Sequence, residues 1–296
     1  MKSFKQYIAE MKLLAEKVLI VGKGKKYGQI IFLAGGAGAG KGFTIGNFLE
    51  GEKFKVRDVD EFKKMFLKID ALKKKYPEIR GLDLTKPTDT YKLHQWIEDK
   101  EIKEKTLDNL VKFKDKSRLP NIIFDTTAAD EGKITKNIPH LLEVGYDPKN
   151  INLVWVLTNY SVAIKQNRNP DRGRVVPENI MLKTHEGAAN TIWNFINKGT
   201  PKEIDGGVYI ILGGPENTIL YTDSKGKPIK TGKKKDTVVV KDFKYITVKQ
   251  PGKRMTSSKD LMAKVLDWIR NNIPRSDATK HFFGSGQDKK EGKRKR

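Results

Sequence analysis

The sequence predicts a three-layer α/β fold, in which helices cover both faces of a parallel β-sheet and a small β-rich extension follows at the C-terminal end. Two observations carry this. Strand-like and helix-like segments alternate along most of the chain. Several of the strand-like runs, such as "INLVWVL" (151–157) and "GGVYIIL" (206–212), are apolar without a break, as strands buried on both faces must be. Beyond about residue 214 the texture changes to shorter, alternating stretches.

Taken in order, residues 3–16 carry Phe4, Ile8, Met11 and Leu14 at helical spacing, which predicts a short amphipathic helix. "KVLIV" (17–21) and "QIIFLAG" (29–35) read as the arms of a hairpin around "GKGKKYG", the second arm leading into a glycine-rich loop. "KFKVRDVD" (53–60) reads as a second strand ending in acids, followed by a helix over 61–76, a loop over 77–90 and a charged helical stretch over 91–115. "PNIIFDTTAAD" (120–130) is a third strand closing on Asp125, with a helix over 132–144 behind it. After the fourth strand (151–157), "YSVAIKQN" opens a helix that gives way to a loop, "RNPDRGRVVPENIM"; "HEGAANTIWNFIN" is helical again, and 206–212 is the fifth strand. In the extension, 217–232 reads as a hairpin turning at Ser224–Gly226, 236–249 as further strand, and 258–273 as an amphipathic helix capped by Ser257 or Ser258. The polar, basic stretch from 284 reads as a disordered tail. The expected organisation is a lead-in over 1–28, a main domain over 29–213, the extension over 214–283 and the tail over 284–296.

Composition narrows the chemistry. The 296 residues contain no cysteine, which removes disulfides, thiolate nucleophiles and cysteine–zinc sites together. His94, His140, His185 and His281 show no metal-ligand spacing and read as structural. No apolar stretch approaches the ~18 residues a membrane helix needs, and charges interrupt any signal-peptide core, so a cytoplasmic protein without a membrane partner is expected. The formal charge of +23 favours a polyanionic partner, nucleic acid above all.

The strongest motif is "FLAGGAGAGKGFTIGN" (32–47). Gly35, four residues, Gly40 and Lys41 form GxxxxGK between a strand and a helix, the context a phosphate cradle requires. Gly35, Gly36, Gly38, Gly40 and Gly42 let backbone N–H groups approach phosphate oxygens, and Lys41, read as exposed at the loop's lip, adds a mobile charge. The usual hydroxyl after the lysine is replaced by Gly42, with Thr44 two residues on, so Mg²⁺ is expected on Thr44 or on a carboxylate such as Asp125.

Three further groups fall at strand ends, where an open α/β sheet binds ligands. Asp58 and Asp60 follow the second strand, and either is a candidate to orient an acceptor hydroxyl and take its proton. Asp125, Thr126 and Thr127 end the third. Arg168, Arg172 and Arg174 lie in the Pro/Gly-rich loop after the fourth and are able to close over phosphates. Lys63, one turn beyond Asp60, is placed to meet a phosphate on the acceptor. The plainer alternatives are that Asp60 caps the helix after it, that Asp125 caps a turn with Thr127, and that the arginines form a solvated loop.

This set resembles the kinase domain of bacteriophage 5′-polynucleotide kinase and its relatives in the zeta-toxin-like branch of P-loop kinases. The resemblance spans about residues 29–195 and rests on the glycine loop, "DEFK" (60–63), "FDTT" (124–127) and "AIKQNRNPDRGRVVPENIM" (163–181). It implies a P-loop kinase fold with ATP and Mg²⁺. Asp60 would be the catalytic base, Lys63 the contact to substrate phosphate, Asp125 the contact to the acceptor, and Arg172 the lid arginine acting on the ATP phosphates. Gly42 and Lys63 depart from the family's usual Ser/Thr and Arg, and no phosphatase signature is present. The leading expectation is transfer of the γ-phosphate of ATP to the 5′-OH of a polynucleotide. The alternatives are a zeta-toxin-like kinase of a nucleotide-sugar or nucleoside, and a non-catalytic nucleotide-binding phage protein. "MKSFKQYIAE" resembles capsid-targeting leaders of tailed-phage internal proteins, with "IAE" (8–10) and "LAE" (14–16) as cleavage tripeptides, which would place the protein in the host cytoplasm or the virion.

Overall fold

The computed structural model describes residues 17–21, 26–112, 115–169, 175–231, 237–255 and 258–274. The expected N-terminal helix with its "IAE" and "LAE" tripeptides, Arg172, Arg174 and the basic tail lie outside the described residues.

A six-stranded sheet forms the centre, in the order β2-β3-β1-β4-β5-β8. Its strands are β1 (Ile30–Ala34), β2 (Lys55–Arg57), β3 (Ile122–Thr126), β4 (Ile151–Thr158), β5 (Val208–Gly213) and β8 (Tyr245–Lys249). The first five run parallel, and β8 joins β5 antiparallel. Every residue of β1, β4 and β5 is buried, which accounts for their largely apolar sequences; the polar exceptions in β4, Asn152 and Thr158, are buried and hydrogen-bonded. The side chains alternate between two cores. Ile30, Phe32, Phe124, Leu153 and Trp155 pack on one face, while Ile31, Leu33, Ile123, Val154 and Val156 pack on the other. A separate two-stranded sheet pairs β6 (Thr218–Leu220) with β7 (Val240–Phe243). The extension is thus stitched into the main sheet through β8, whose buried Lys249 ammonium donates to the Asp205 carboxylate and to the Asp205 and Gly206 carbonyls, each at 2.9 Å.

The helices are α1 (Lys41–Asn47), α2 (Val59–Lys68), α3 (Asp70–Lys75), α4 (Pro87–Asp99), α5 (Ile102–Val111), α6 (Gly132–Thr135), α7 (Ile138–Val144), α8 (Tyr160–Asn167), α9 (Glu178–Lys198) and α10 (Lys259–Asn272). Each helix expected as one piece over 61–76, 91–115 and 132–144 is two. The break between α4 and α5 falls at Glu101, whose φ of 51° no helix accepts. The helix expected from His185 instead starts at Glu178, directly after Pro177. The hairpin expected of "KVLIV" does not form: the Lys17 N–H donates to the Val240 carbonyl and the Leu19 N–H to Phe48, so this run packs beside α1 and β7 instead of pairing with β1. The Ser258 hydroxyl caps α10 by accepting from Leu261 N–H at 3.1 Å. Among the described residues no helix is long and apolar enough to cross a membrane.

Between β2 and β3 the chain inserts α2 to α5. Phe66, Ile79, Leu93, Trp96 and Ile97 give this insertion a small core of its own. Only its last helix, α5, sends Leu107 and Val111 into the main core.

Candidate active site

β1 lies between β3 and β4, and the glycine loop leaves its C-terminal end. The loop's shape is held by what its carbonyls touch. Lys41 Nζ donates to Gly35 O at 2.8 Å and to Gly36 O at 3.4 Å. His185 Nε2 lies 2.8 Å from Ala37 O, and the Thr158 hydroxyl donates to Ala39 O at 2.6 Å. Gly40 O accepts the Thr44 N–H at 3.0 Å as α1 begins. These carbonyls are committed to protein donors, as are the Ala37 and Ala39 N–H groups to acceptors, Thr184 Oγ1 and Gly36 O; an anion would be met by the glycine N–H groups of the loop. Gly38 has a φ of 77°, and a Cβ there would sit 2.6 Å from the Ala163 carbonyl oxygen, so the turn requires glycine at that point.

Lys41 is not the exposed lip residue that its sequence position suggested. Its side chain is 12% exposed, folded back onto the loop, with Nζ 3.4 Å from Asp125 Oδ1. Asp125 stands next to last in β3, opposite Leu33 of β1, with its side chain 15% exposed. Beside it, Thr126 Oγ1 accepts the Ala128 N–H at 3.1 Å, and Ala128 takes a left-handed φ of 50°. The Thr126 hydroxyl thus helps close the turn after β3. Thr44 is buried within α1.

Asp58 directly follows β2, and its carbonyl accepts the Phe62 N–H at 3.3 Å. Asp58 thus holds the capping position of α2, and Asp60 lies inside the first turn, which removes the reading of Asp60 as the helix cap. Lys63, on the same helix, is buried. Next to this strand end, Arg57 lies 5.1 Å from the Phe124 ring centroid and hydrogen-bonds the Thr106 hydroxyl at 3.3 Å. Burial pushes its guanidinium down to about 10, against the opposing charges of Glu104 and Asp108.

The arginine loop is tied at its neck by a residue that the sequence reading did not single out. Asn167 donates from Nδ2 to Val176 O at 2.8 Å and accepts from Val176 N–H at 3.0 Å, as a peptide group would. Arg168, at the end of α8, is exposed and ion-paired with Glu178 at the start of α9. Helix α9 then passes both functional loops. Thr184 Oγ1 accepts the Ala37 N–H at 3.1 Å, His185 meets the loop as described, and Gly187 packs on Ala129 after β3. Burial pushes the His185 imidazole down to about 4; the Ala37 hydrogen bond acts against this and the nearby Lys41 charge acts with it.

Among the described residues no group of three or more His, Asp or Glu side chains forms a ready-made metal cage. Asp125, with Oδ1 beside the Lys41 ammonium, is a carboxylate of the kind through which Mg²⁺ binds together with phosphate oxygens and water, so this residue fits that ion.

A parallel sheet with a GxxxxGK loop after its central strand, and an aspartate on the neighbouring strand facing the lysine, defines a P-loop kinase-like domain. The family profile described as Zeta toxin matches residues 18–225, and the chain belongs to that family. No curated protein matches it. Among solved structures it is similar to the AvrRxo1-ORF1:AvrRxo1-ORF2 complex with sulphate ions, at 14% identity over 86% of this chain and 74% of that one, with a TM-score of 0.50. A structure from the PezAT toxin–antitoxin system of Streptococcus pneumoniae matches at 13% identity over 91% and 94%, with a TM-score of 0.42. Deoxyadenosine kinase from M. mycoides with bound dATP matches at 16% identity over 67% and 94%, with a TM-score of 0.31.

Proposed function

We propose that the protein is an ATP-dependent kinase that transfers the γ-phosphate to a hydroxyl, the 5′-OH of a polynucleotide being the acceptor its charge favours. The observation that carries the kinase reading is Lys41, held between the loop carbonyls and Asp125, where exchange of those carbonyls for phosphate oxygens needs only a side-chain movement. In this reading Gly35, Gly36, Gly38, Gly40 and Gly42 present backbone N–H groups to the phosphates, and Lys41 balances charge on the transferring group. Asp60 takes the proton of the acceptor hydroxyl, and Lys63 meets an acceptor phosphate. Arg172, with Arg168 and Arg174 on the same loop, neutralises charge that develops on the phosphoryl oxygens. Asp125 would hold Mg²⁺, which screens the phosphates when bound; Thr126 lies beside it toward the acceptor.

The surplus of 59 basic over 36 acidic residues supports a polynucleotide, because each neutralised phosphate adds affinity. Family membership favours a second reading, a kinase of a nucleotide-sugar or nucleoside. Incubation with γ-labelled ATP and Mg²⁺ against 5′-OH DNA, 5′-OH RNA, nucleosides and UDP-sugars tests both. Label on the oligonucleotides alone supports the first reading and label on a small acceptor alone supports the second. No transfer to any acceptor, with ATP bound, would support the non-catalytic alternative.

A further inference from the structure

Helix α9 touches the phosphate loop at one residue through both of its peptide groups. The Ala37 N–H donates to Thr184 Oγ1 at 3.1 Å, and the Ala37 carbonyl faces His185 Nε2 at 2.8 Å. A carbonyl only accepts, so Nε2 carries the hydrogen. Thr184 is fixed in turn, since its hydroxyl donates to Met181 O at 2.8 Å within the helix. The imidazole is 1% exposed and stands edge-on to the Tyr160 ring, with centroids 5.4 Å apart. Tyr160 reaches back to α9 through its hydroxyl, 3.2 Å from Glu178 O. The ring lies so close to Gly36 that a Cβ there would fall 2.2 Å from His185 Cδ2. The contacts to Ala37 and Gly36 act on the backbone of the loop, and those to Met181 and Glu178 tie Thr184 and Tyr160 to α9.

We propose that His185, seconded by Thr184, is a positioning residue for nucleotide binding: it holds the Ala37 peptide in the orientation that leaves the phosphate loop open to an anion. Without it, the Ala37 carbonyl loses its donor and is free to turn into the cradle, where it would repel phosphate oxygens. The same helix starts at Glu178, which pairs with Arg168, so the loop and the arginine segment are referred to one rigid element. This proposal rests on the reading of the loop as an ATP site.

The test is ATP binding by calorimetry, with no acceptor present. His185→Ala should weaken ATP binding roughly tenfold or more, in line with the cost of misplacing a binding group by a fraction of its contact distance. His185→Gln, which keeps a donor at the same reach, should restore affinity to within about threefold of wild type. Gly36→Ala, which leaves His185 in place, should weaken binding by a similar factor because its methyl group meets the ring. In a His185→Ala background the added methyl finds space, so Gly36→Ala should then cost less than about twofold. A side chain that merely stabilised the fold would lower the melting temperature in His185→Ala and His185→Gln alike, and its loss would multiply with that of Gly36→Ala. Wild-type affinity in His185→Ala, or in Gly36→Ala should His185→Ala fail to fold, overturns the proposal, as do losses that multiply. Lys41→Ala separates the two levels: if it abolishes ATP binding while His185→Ala binds ATP as tightly as wild type, the positioning role alone fails. If the unaltered protein does not bind ATP, the kinase reading fails and takes this role with it.

Discussion

The phosphate loop and the helical insertion between β2 and β3 are built on opposite terms. The loop is short, glycine-rich and held by hydrogen bonds from two other places in the chain: Thr158 at the end of β4, and the neighbours Thr184 and His185 on α9. The insertion is long, carries its own apolar cluster around Leu93 and Trp96, and reaches the main core through α5. A site fixed by buried hydrogen bonds has one geometry, whereas a unit with its own core can shift as a body. On the proposed function, this difference assigns the shaped half to the nucleotide and the self-contained half, with Asp60 and Lys63 at its root, to the acceptor.

That contrast can be broken most severely at Lys41. Lys41→Ala should lower phosphoryl transfer by ~10³-fold or more, since it removes the charge nearest the transferring group. Because Nζ also holds the Gly35 and Gly36 carbonyls, the melting temperature should fall slightly as well. Turnover above a tenth of wild type would end the phosphate-loop assignment. Asp60→Asn should come next, lowering kcat by ~10²–10⁴-fold with little change in ATP affinity, as loss of a general base does. If Asp58→Asn shows that loss and Asp60→Asn does not, the base is the residue at the capping position of α2. Leu93→Ala sharpens the comparison from the other side. It should remove ~2–5 kcal/mol of packing from the insertion. Hydrogen exchange should then loosen within 59–99 while ATP binding holds; equal loosening of the glycine loop would show that the two halves are one cooperative unit. The mildest effect concerns the acceptor. A 5′-OH oligonucleotide should bind with log K falling against log salt by roughly 0.7 per neutralised phosphate. Deleting the chain from Gly284 should flatten that slope without changing turnover at saturation, and a flat slope in both forms would move the acceptor to a small molecule.

The sequence made the centre of the sheet legible because β1, β4 and β5 are buried on both faces: "IIFLA" and "INLVWVLT" are mostly apolar on either side, so no exposed polar face confuses the period. Asp125 at the strand end followed from the same reading. "KVLIV" was misread because Leu19 and Val21 pack into the core beside α1 and β7 without pairing with β1, and an apolar run does not say whether its backbone pairs. The break at Glu101 carries neither glycine nor proline, so nothing local announced it. The start of α9 did carry a signal, since proline followed by a glutamate in the first turn opens helices; the basic loop before it drew the reading away. His185 was taken as structural because a lone histidine without ligand spacing usually is. Its partner is a backbone carbonyl 148 residues away, and no side-chain pattern encodes a contact with a peptide group. Lys41 misled in the opposite way, as motif logic places it at the loop's edge while an ammonium with three hydrogens folds toward whichever oxygens are nearest.

β8 lies beyond residue 225, where the family match ends, yet it is hydrogen-bonded along β5 from Val208 to Ile211. A chain trimmed to the matched region would expose those apolar residues as a raw sheet edge, and the Asp205 and Gly206 carbonyls would lose the Lys249 ammonium. At the opposite margin β2 is only three residues long and begins with Lys55 and ends with Arg57, the kind of edge that resists self-association. β8 thus covers an otherwise open apolar edge, and the trimmed chain should gather into aggregates through β5, measurable by light scattering, before any question of its catalysis arises.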